Sequence, residues 1–227
     1  MGRKPTSDWG AIFDWDGVII DSSRQHLKSW EMLAAEEKRH LPPDHFKRSF
    51  GMKNEKIIPE LLRWTNDPKE IRRLSLRKEA LYREIVRADG ISPLPGVVEW
   101  LNRLGEALVP CVIASSTHRE NIACTLGLLG LESHFSAIVS AEDVTHGKPD
   151  PEVFLLAARK IDVPSSRCVV FEDAHVGIEA ARAAGMKVVG VASTHPAESL
   201  QDADRVVSRL DELSVPELSR WWPEPKA

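Results

Sequence analysis

The chain has 227 residues, of which 42% are hydrophobic, and its formal net charge is -4. This length and apolar content suffice for one large domain or for a core with a smaller insert. The acidic balance argues against a general nucleic-acid binder, whose surface needs a basic excess. No apolar run approaches the length of a membrane span, and the N-terminus lacks the apolar core of a signal peptide. Gly2 fits only a loose myristoylation pattern that recurs by accident, so we expect a cytoplasmic protein without a membrane or nucleic-acid partner.

The first predicted strand is the apolar run Gly10-Ala11-Ile12-Phe13, which runs into Asp14-Trp15-Asp16-Gly17. Side chains alternate along an extended segment, so Asp14 and Asp16 would share a face if the strand ran on, while the loop break at Gly17 frees both to converge. Such a pair suits a metal-assisted nucleophile with a neighbouring proton donor. The Asp-x-Asp pattern is also common in ordinary surface loops, so the motif alone leaves both interpretations open.

A helical insert follows the first strand. Up to about residue 89 the sequence is charged and amphipathic without a strand-like run, and the glycine- and proline-rich segment 89–96 ends it. One predicted helix carries an apolar stripe at helical spacing, formed by Ile71, Leu74, Leu81 and Ile85. Lys78 lies inside this stripe and therefore on the inward face. It is either a lysine whose stem packs along apolar surface or a functional cation.

Helix and strand alternate again beyond the insert. A predicted helix has apolar residues at Val97, Val98, Leu101, Leu104 and Leu108. The predicted strand Cys111-Val112-Ile113-Ala114 then runs into Ser115-Ser116-Thr117. The segment Thr117-His118-Arg119-Glu120 has capping-box spacing and predicts a helix that continues through Leu129. Ser115 suits either a helix N-cap or a phosphate ligand.

Two more predicted strands are each followed by polar residues. After the strand at 137–140, Gly147-Lys148-Pro149-Asp150-Pro151 opens a helix, with Asp150 as N-cap and Pro151 at the first helical position. The strand at 168–171 runs into Glu172-Asp173. Taken singly, Lys148 is typical of a solvated surface lysine, and Glu172-Asp173 is typical of a loop.

These elements together predict a parallel sheet covered by helices, because continuous apolar runs alternate with helical segments. In such sheets the ligand lies at the carboxyl ends of the strands. That rule brings Asp14, Ser115, Lys148 and Asp173 to one edge, although they are far apart in sequence. The cysteines are odd in number and unpaired in spacing, which predicts buried reduced thiols rather than disulfides or zinc ligands: Cys111, Cys124 and Cys168.

The order and spacing of these motifs resemble those of the haloacid-dehalogenase (HAD) superfamily, in the branch of β-phosphoglucomutase and the small sugar-phosphate phosphatases. The resemblance spans about residues 8 to 213. It implies an α/β fold with a Rossmann-like parallel sheet core flanked by helices and an inserted α-helical cap domain. The expected core is 8–22 with 93–215, the cap is 23–92, and 1–7 and 216–227 are terminal extensions.

The resemblance also implies roles for the motif residues in phosphoryl transfer. Asp14 attacks phosphorus and forms an aspartyl-phosphate, while Asp16 gives a proton to the leaving alcohol and later takes one from water or from a second hydroxyl. The Ser115 hydroxyl and nearby backbone amides, including that of Ser116, bind phosphate oxygens, and Lys148 supplies a cation among the carboxylates and the phosphate. Hard oxygen ligands suit Mg²⁺ rather than zinc, and the expected metal residues are Asp14, Asp16 through its backbone carbonyl, Asp173, and Glu172 indirectly. The presence of Asp16 disfavours dehalogenation, because dehalogenases need no second catalytic carboxylate at this position.

The cap should choose the substrate. Lys78 aligns with a cap lysine of β-phosphoglucomutase and His26 with a histidine, which makes both candidate substrate contacts. Asn54 falls where that enzyme has an arginine for the second phosphate of a bisphosphate. We therefore expect a phosphatase for a small phosphorylated metabolite, acting as a monomer or weak dimer. The alternatives are a phosphomutase and, less favoured, a non-catalytic phosphate-binding protein of the same fold.

Overall fold

The computed structural model describes residues 7–49 and 52–222. Gly2, on which the myristoylation pattern depends, lies outside these ranges. The chain divides into two compact units. The first unit comprises Met1–Asp21 and Ser92–Ala227, and the second comprises Ser22–Ile91.

The first unit is built on a parallel sheet in the order β3-β2-β1-β4-β5-β6. The strands are β1 Gly10–Phe13, β2 Cys111–Ala114, β3 Ala137–Val139, β4 Cys168–Glu172, β5 Lys187–Val191 and β6 Arg205–Val207. Strands β1, β2 and β4 are buried at every position, as expected where helices cover both faces of a sheet. The predicted α/β class and parallel sheet are confirmed.

The second unit is helical in its described part. It contains α1 Ser23–Glu36, α2 His45–Ser49, α3 Asn54–Lys56, a π-helical turn at Ile57–Leu61, and α4 Pro68–Asp89. Helix α4 begins with Asp67 as N-cap, whose side chain accepts a hydrogen bond from Lys69 N at 3.1 Å, and Gly90 follows its last residue. Its apolar face packs in a core with α1 that includes Trp30, Leu33, Leu74 and Leu81.

The helices of the first unit pack against the sheet. They are α5 Val97–Glu106, α6 Arg119–Leu129, α7 Glu152–Lys160, α8 His175–Ala183 and α9 Val215–Ser219. The buried face of α7 contributes Phe154 and Ala157 to the main core. Strand β1 closely approaches Ile161, the residue that follows α7: a Cβ added at Gly10 would lie 2.5 Å from Ile161 Cδ1.

Local predictions failed at several positions. Helix α6 begins at Arg119 without a side-chain cap, and the Thr117 hydroxyl bonds elsewhere. Helix α7 begins at Glu152, one residue later than predicted, although Asp150 Oδ1 accepts from Glu152 N at 2.9 Å, as the side chain of an N-cap residue does. Leu108 lies beyond α5 and is 48% exposed.

The remaining observations concern cysteines and membrane spans. Cys111, Cys124 and Cys168 are free, and Cys111 and Cys168 are buried as predicted, whereas Cys124, on α6, is only half-buried. Among the described residues no helix has the length and apolar character needed to cross a membrane.

Candidate active site

Asp14 lies at the carboxyl end of the central strand. Strand β1 pairs with β2 on one side and with β4 on the other. The backbone N–H of Asp14 donates to Phe171 O at 3.0 Å, which fixes the residue beside Glu172. The Asp14 side chain is buried, with 8% of the residue exposed. The sheet register therefore brings Asp14 together with Glu172 and Asp173.

Lys148 connects these two motifs. Its ammonium donates to Asp14 Oδ1 at 2.7 Å and to Glu172 Oε1 at 2.6 Å, and it lies 4.9 Å from the centroid of the Phe154 ring. Burial works against the charged ammonium, but the carboxylates of Asp14 and Glu172 outweigh it and raise the pKa of Lys148 above its usual value. The interpretation of Lys148 as a solvated surface residue is therefore wrong.

Glu172 has partners for both carboxylate oxygens. Oε1 bonds Lys148, while Oε2 accepts from the backbone N–H groups of Asp173 and Ala174, each at 2.8 Å. Helix α8 leaves room for it at Gly177, where an added Cβ would lie 1.8 Å from Oε1. A carboxylate committed in this way fits an indirect role at a metal better than a direct one.

Asp14, Glu172 and Asp173 form a buried carboxylate cluster. One oxygen from each lies within 4.8 Å of the others. Burial is the main reason that the pKa of Asp14 rises to about 7 and that of Asp173 to about 8, while Lys148 lowers both. When ionised, three carboxylates carry three negative charges against one ammonium, so two negative charges remain. A divalent cation would balance them, and the all-oxygen donor set fits Mg²⁺.

Asp16 is half-buried and is fixed by a residue that the sequence interpretation assigned elsewhere. Thr117 Oγ1 donates to Asp16 Oδ2 at 2.5 Å. The Thr117 backbone N–H in turn donates to Ser115 Oγ at 3.1 Å. Ser115 is buried and Ser116 exposed. Thr117 therefore links Ser115 to Asp16, the proposed proton donor.

Trp15, between the two aspartates, belongs to the core. Its side chain is fully buried, and its carbonyl accepts from Ile19 N at 2.9 Å and Ile20 N at 3.2 Å. Within the described residues its indole nitrogen has no hydrogen-bond partner.

The three cap candidates cluster within the second unit. Lys78 Nζ lies 2.7 Å from His26 Nδ1 and 3.0 Å from Glu79 Oε1. Asn54 Nδ2 donates to Glu79 Oε1 at 2.6 Å and to Ser75 Oγ at 3.1 Å. The amide of Asn54 is therefore committed to its own unit, and its role as a substrate ligand stays a prediction.

Sequence reasoning also missed the residues that follow β5. Ser193, Thr194 and His195 contact Gly17 and Asp173. The rule that ligands lie at the carboxyl ends of parallel strands applies to β5 as well. The three polar residues after β5 could therefore have been predicted from sequence to lie near the site.

Comparison with known proteins identifies the family. The family model of the haloacid dehalogenase-like hydrolases matches residues 10–185. The chain is 42% identical over 214 residues to the chloroplastic 5-amino-6-(5-phospho-D-ribitylamino)uracil phosphatase of Arabidopsis thaliana, covering 93% of this chain but only 57% of that protein. It is 32% identical to the β-phosphoglucomutase of Bacillus subtilis, covering 93% of this chain and 94% of the enzyme.

A solved structure agrees with these matches. The β-phosphoglucomutase of Clostridium difficile superposes with a TM-score of 0.80 at 26% identity, covering 95% of this chain and 98% of that one. The resemblance inferred from the motifs is thus confirmed. The chain belongs to the haloacid dehalogenase-like hydrolases.

Proposed function

We propose that this protein is a Mg²⁺-dependent phosphatase that hydrolyses a small phosphorylated metabolite, of the sugar- or polyol-phosphate class, through an aspartyl-phosphate on Asp14. The observation that carries the proposal is the buried Lys148 ammonium, ion-paired to both Asp14 and Glu172. A buried cation beside a buried carboxylate at a strand end provides a nucleophile together with charge for phosphate oxygens.

In the first step the free oxygen of Asp14 attacks phosphorus. Lys148 holds the other oxygen, Oδ1, at 2.7 Å, which orients the carboxylate and favours its ionised form. The bond between phosphorus and the ester oxygen breaks, and that oxygen takes a proton from Asp16. Ser115 can donate its hydroxyl hydrogen to a phosphate oxygen while it accepts from Thr117 N.

In the second step water attacks phosphorus, Asp16 takes a proton from that water, and phosphate leaves Asp14. Two easier displacements replace one difficult displacement. Asp14, Asp173 and the carbonyl of Asp16 would hold Mg²⁺, with Glu172 acting indirectly. When bound, the ion supplies positive charge that neutralises the transferring phosphoryl oxygens.

A phosphomutase is the second candidate, since a β-phosphoglucomutase matches the chain along nearly its whole length. A mutase must hold a bisphosphate intermediate by its second phosphate. Asn54 cannot make a bidentate charged contact, and its amide nitrogen already donates to Ser75 and Glu79. These contacts support hydrolysis over transfer back to the substrate.

The first experiment measures phosphate release by the purified chain from a panel of sugar and polyol phosphates, with Mg²⁺ and with chelator. The panel includes the substrate named for the plant relative, 5-amino-6-(5-phospho-D-ribitylamino)uracil. We expect release only with Mg²⁺, none from Asp14→Asn, and wild-type rates from Asp202→Asn, a matched change at an exposed aspartate. Full activity in chelator would refute the metal assignment.

The second experiment separates hydrolysis from transfer. The protein is given β-glucose 1-phosphate with catalytic glucose 1,6-bisphosphate, and both glucose 6-phosphate and free phosphate are followed. We expect free phosphate to dominate among the products. Rapid glucose 6-phosphate formation with little free phosphate would establish the mutase instead.

A further inference from the structure

Three consecutive side chains after β5 contact the two loops that carry the proposed metal ligands. We call residues 193–195 the β5 loop. Ser193 Oγ donates to the carbonyl of Gly17, in the loop after β1. Thr194 Oγ1 donates to Asp173 Oδ2 and lies 3.3 Å from the Asp173 carbonyl oxygen. His195 Nδ1 lies 3.0 Å from that same carbonyl oxygen.

These contacts fix Asp173 in backbone and side chain together. The backbone N–H of Asp173 donates to Glu172 Oε2 at 2.8 Å, and its carbonyl faces Thr194 and His195. The Thr194 hydroxyl occupies Oδ2 of the Asp173 carboxylate. Among the described residues Asp173 Oδ1 receives no hydrogen bond, which leaves that oxygen for a cation.

The β5 loop also determines how close the two metal-ligand loops approach each other. Gly17 adopts a positive φ of 84°, and a Cβ there would lie 2.0 Å from Asp173 Oδ2. The loop after β1 therefore packs directly on the Asp173 carboxylate. Ser193 holds this loop by the Gly17 carbonyl, while the adjacent Thr194 holds Asp173. One short segment thus sets the spacing between ligands that come from β1 and β4.

We propose that Ser193 and Thr194 are positioning residues that set the affinity of this site for Mg²⁺ and its preference for Mg²⁺ over Ca²⁺. The inference rests on the proposed metal site. Mg²⁺ demands near-ideal octahedral geometry at short distance, whereas Ca²⁺ accepts longer and more variable coordination. A ligand set that is loosely held loses Mg²⁺ more than Ca²⁺. Residues that orient metal ligands are typically worth about 10- to 100-fold in affinity.

The test measures the binding of Mg²⁺ and of Ca²⁺ separately, by titration calorimetry on the full chain after chelator treatment, with the metal-induced shift of melting temperature as a second readout. Thr194→Val removes the hydroxyl at nearly constant shape. We expect it to weaken Mg²⁺ binding about 10- to 100-fold and Ca²⁺ binding distinctly less. Thr194→Ser keeps the hydroxyl and should bind both ions like the wild type.

Two further variants complete the design. Ser193→Ala should lower the ratio of Mg²⁺ to Ca²⁺ affinity in the same direction, and it carries the test if Thr194→Val does not fold. Ser199→Ala is the matched control, because Ser199 Oγ also donates to a nearby carbonyl, that of Pro196 at 2.8 Å, but touches neither ligand loop. Its affinities should equal those of the wild type.

The outcomes separate this inference from the proposed function. Wild-type protein that binds no Mg²⁺ would refute the metal site itself and the inference with it. Wild-type protein that binds Mg²⁺ while both Thr194→Val and Ser193→Ala bind it within twofold would overturn the inference alone. Equal weakening of Mg²⁺ and Ca²⁺ would also overturn it, since a general loosening of the fold moves both ions together.

Discussion

Replacing Lys148 by methionine should destabilise the fold, because it removes the cation from a buried cluster of carboxylates. The Lys148 side chain is only 7% exposed and bonds Asp14 and Glu172 at 2.7 and 2.6 Å. Removing one partner of a buried ion pair costs about 3–5 kcal/mol, and in a chain of this size each kcal/mol lowers the melting temperature by about 2–4 °C. We therefore expect a fall of about 6–20 °C in chelator at pH 8.5.

The effect should depend on pH with a definite sign. Burial raises the pKa of Asp14 to about 7 even with Lys148 opposing it, so removal of Lys148 raises that pKa further. A carboxyl with a raised pKa in the folded state contributes stability at low pH and loses it as pH rises through that pKa. Below pH 6 both proteins hold Asp14 protonated. The gap between variant and wild type should therefore widen above pH 7.

Thermal melts at pH 5.5 and 8.5 check this, with Lys187→Met as the matched control. Lys187 Nζ bonds Asp204 Oδ1 at 2.7 Å, the same length as the bond to Asp14, but its side chain is 41% exposed. Exposed pairs contribute about 0–1 kcal/mol. Equal melting temperatures for the two variants at pH 8.5, or a gap that narrows as pH rises, would refute the reasoning.

Three other predictions concern turnover. Asp16→Asn should slow the hydrolysis of alkyl phosphates about 10²- to 10⁴-fold and that of activated aryl phosphates much less. The reason is that only a basic leaving oxygen needs the proton from Asp16. Equal losses for both kinds of ester would indicate a structural role for Asp16. Thr117→Val removes the hydroxyl donor that lies 2.5 Å from Asp16 Oδ2, and it should slow alkyl phosphates more than aryl phosphates by a smaller factor than Asp16→Asn does. Thr117→Ser should restore the wild-type rates. An unaltered ratio of alkyl to aryl rates in Thr117→Val would show that Thr117 does not position Asp16. Ca²⁺ should inhibit turnover in competition with Mg²⁺, because Ca²⁺ takes more ligands at longer distance and would draw the Asp14 carboxylate away from the position for attack on phosphorus. Turnover supported by Ca²⁺ alone would contradict this prediction.

The sheet and its functional edge were predictable from sequence because the signals are contiguous. The runs at 10–13, 111–114 and 168–171 are continuously apolar, and each is buried at every position. Parallel strands end at one edge, so the polar residues after β1 and β4 had to meet. The buried pairing of Lys148 with Asp14 follows from that topology together with the motif order.

The contacts that refine the site were not predictable, because they join residues that are distant in sequence. Thr117 fits a local capping pattern, yet its hydroxyl bonds Asp16, 101 residues away. Asn54 was aligned with a ligand-binding position, but its amide bonds Ser75 and Glu79, 21 and 25 residues along the chain. Local patterns give a polar side chain several possible partners, and tertiary packing chooses among them.

The most direct test of the account is to capture phosphate on Asp14. Wild-type protein is mixed with Mg²⁺ and a phosphate ester that it hydrolyses, quenched in acid within one turnover, digested, and analysed by mass spectrometry. We expect one added phosphoryl group on the peptide containing Asp14, its loss on treatment with hydroxylamine, and no such peptide from Asp14→Asn or from wild type in chelator. A phosphoryl group on a different residue, or hydrolysis by Asp14→Asn at the wild-type rate, would contradict the account.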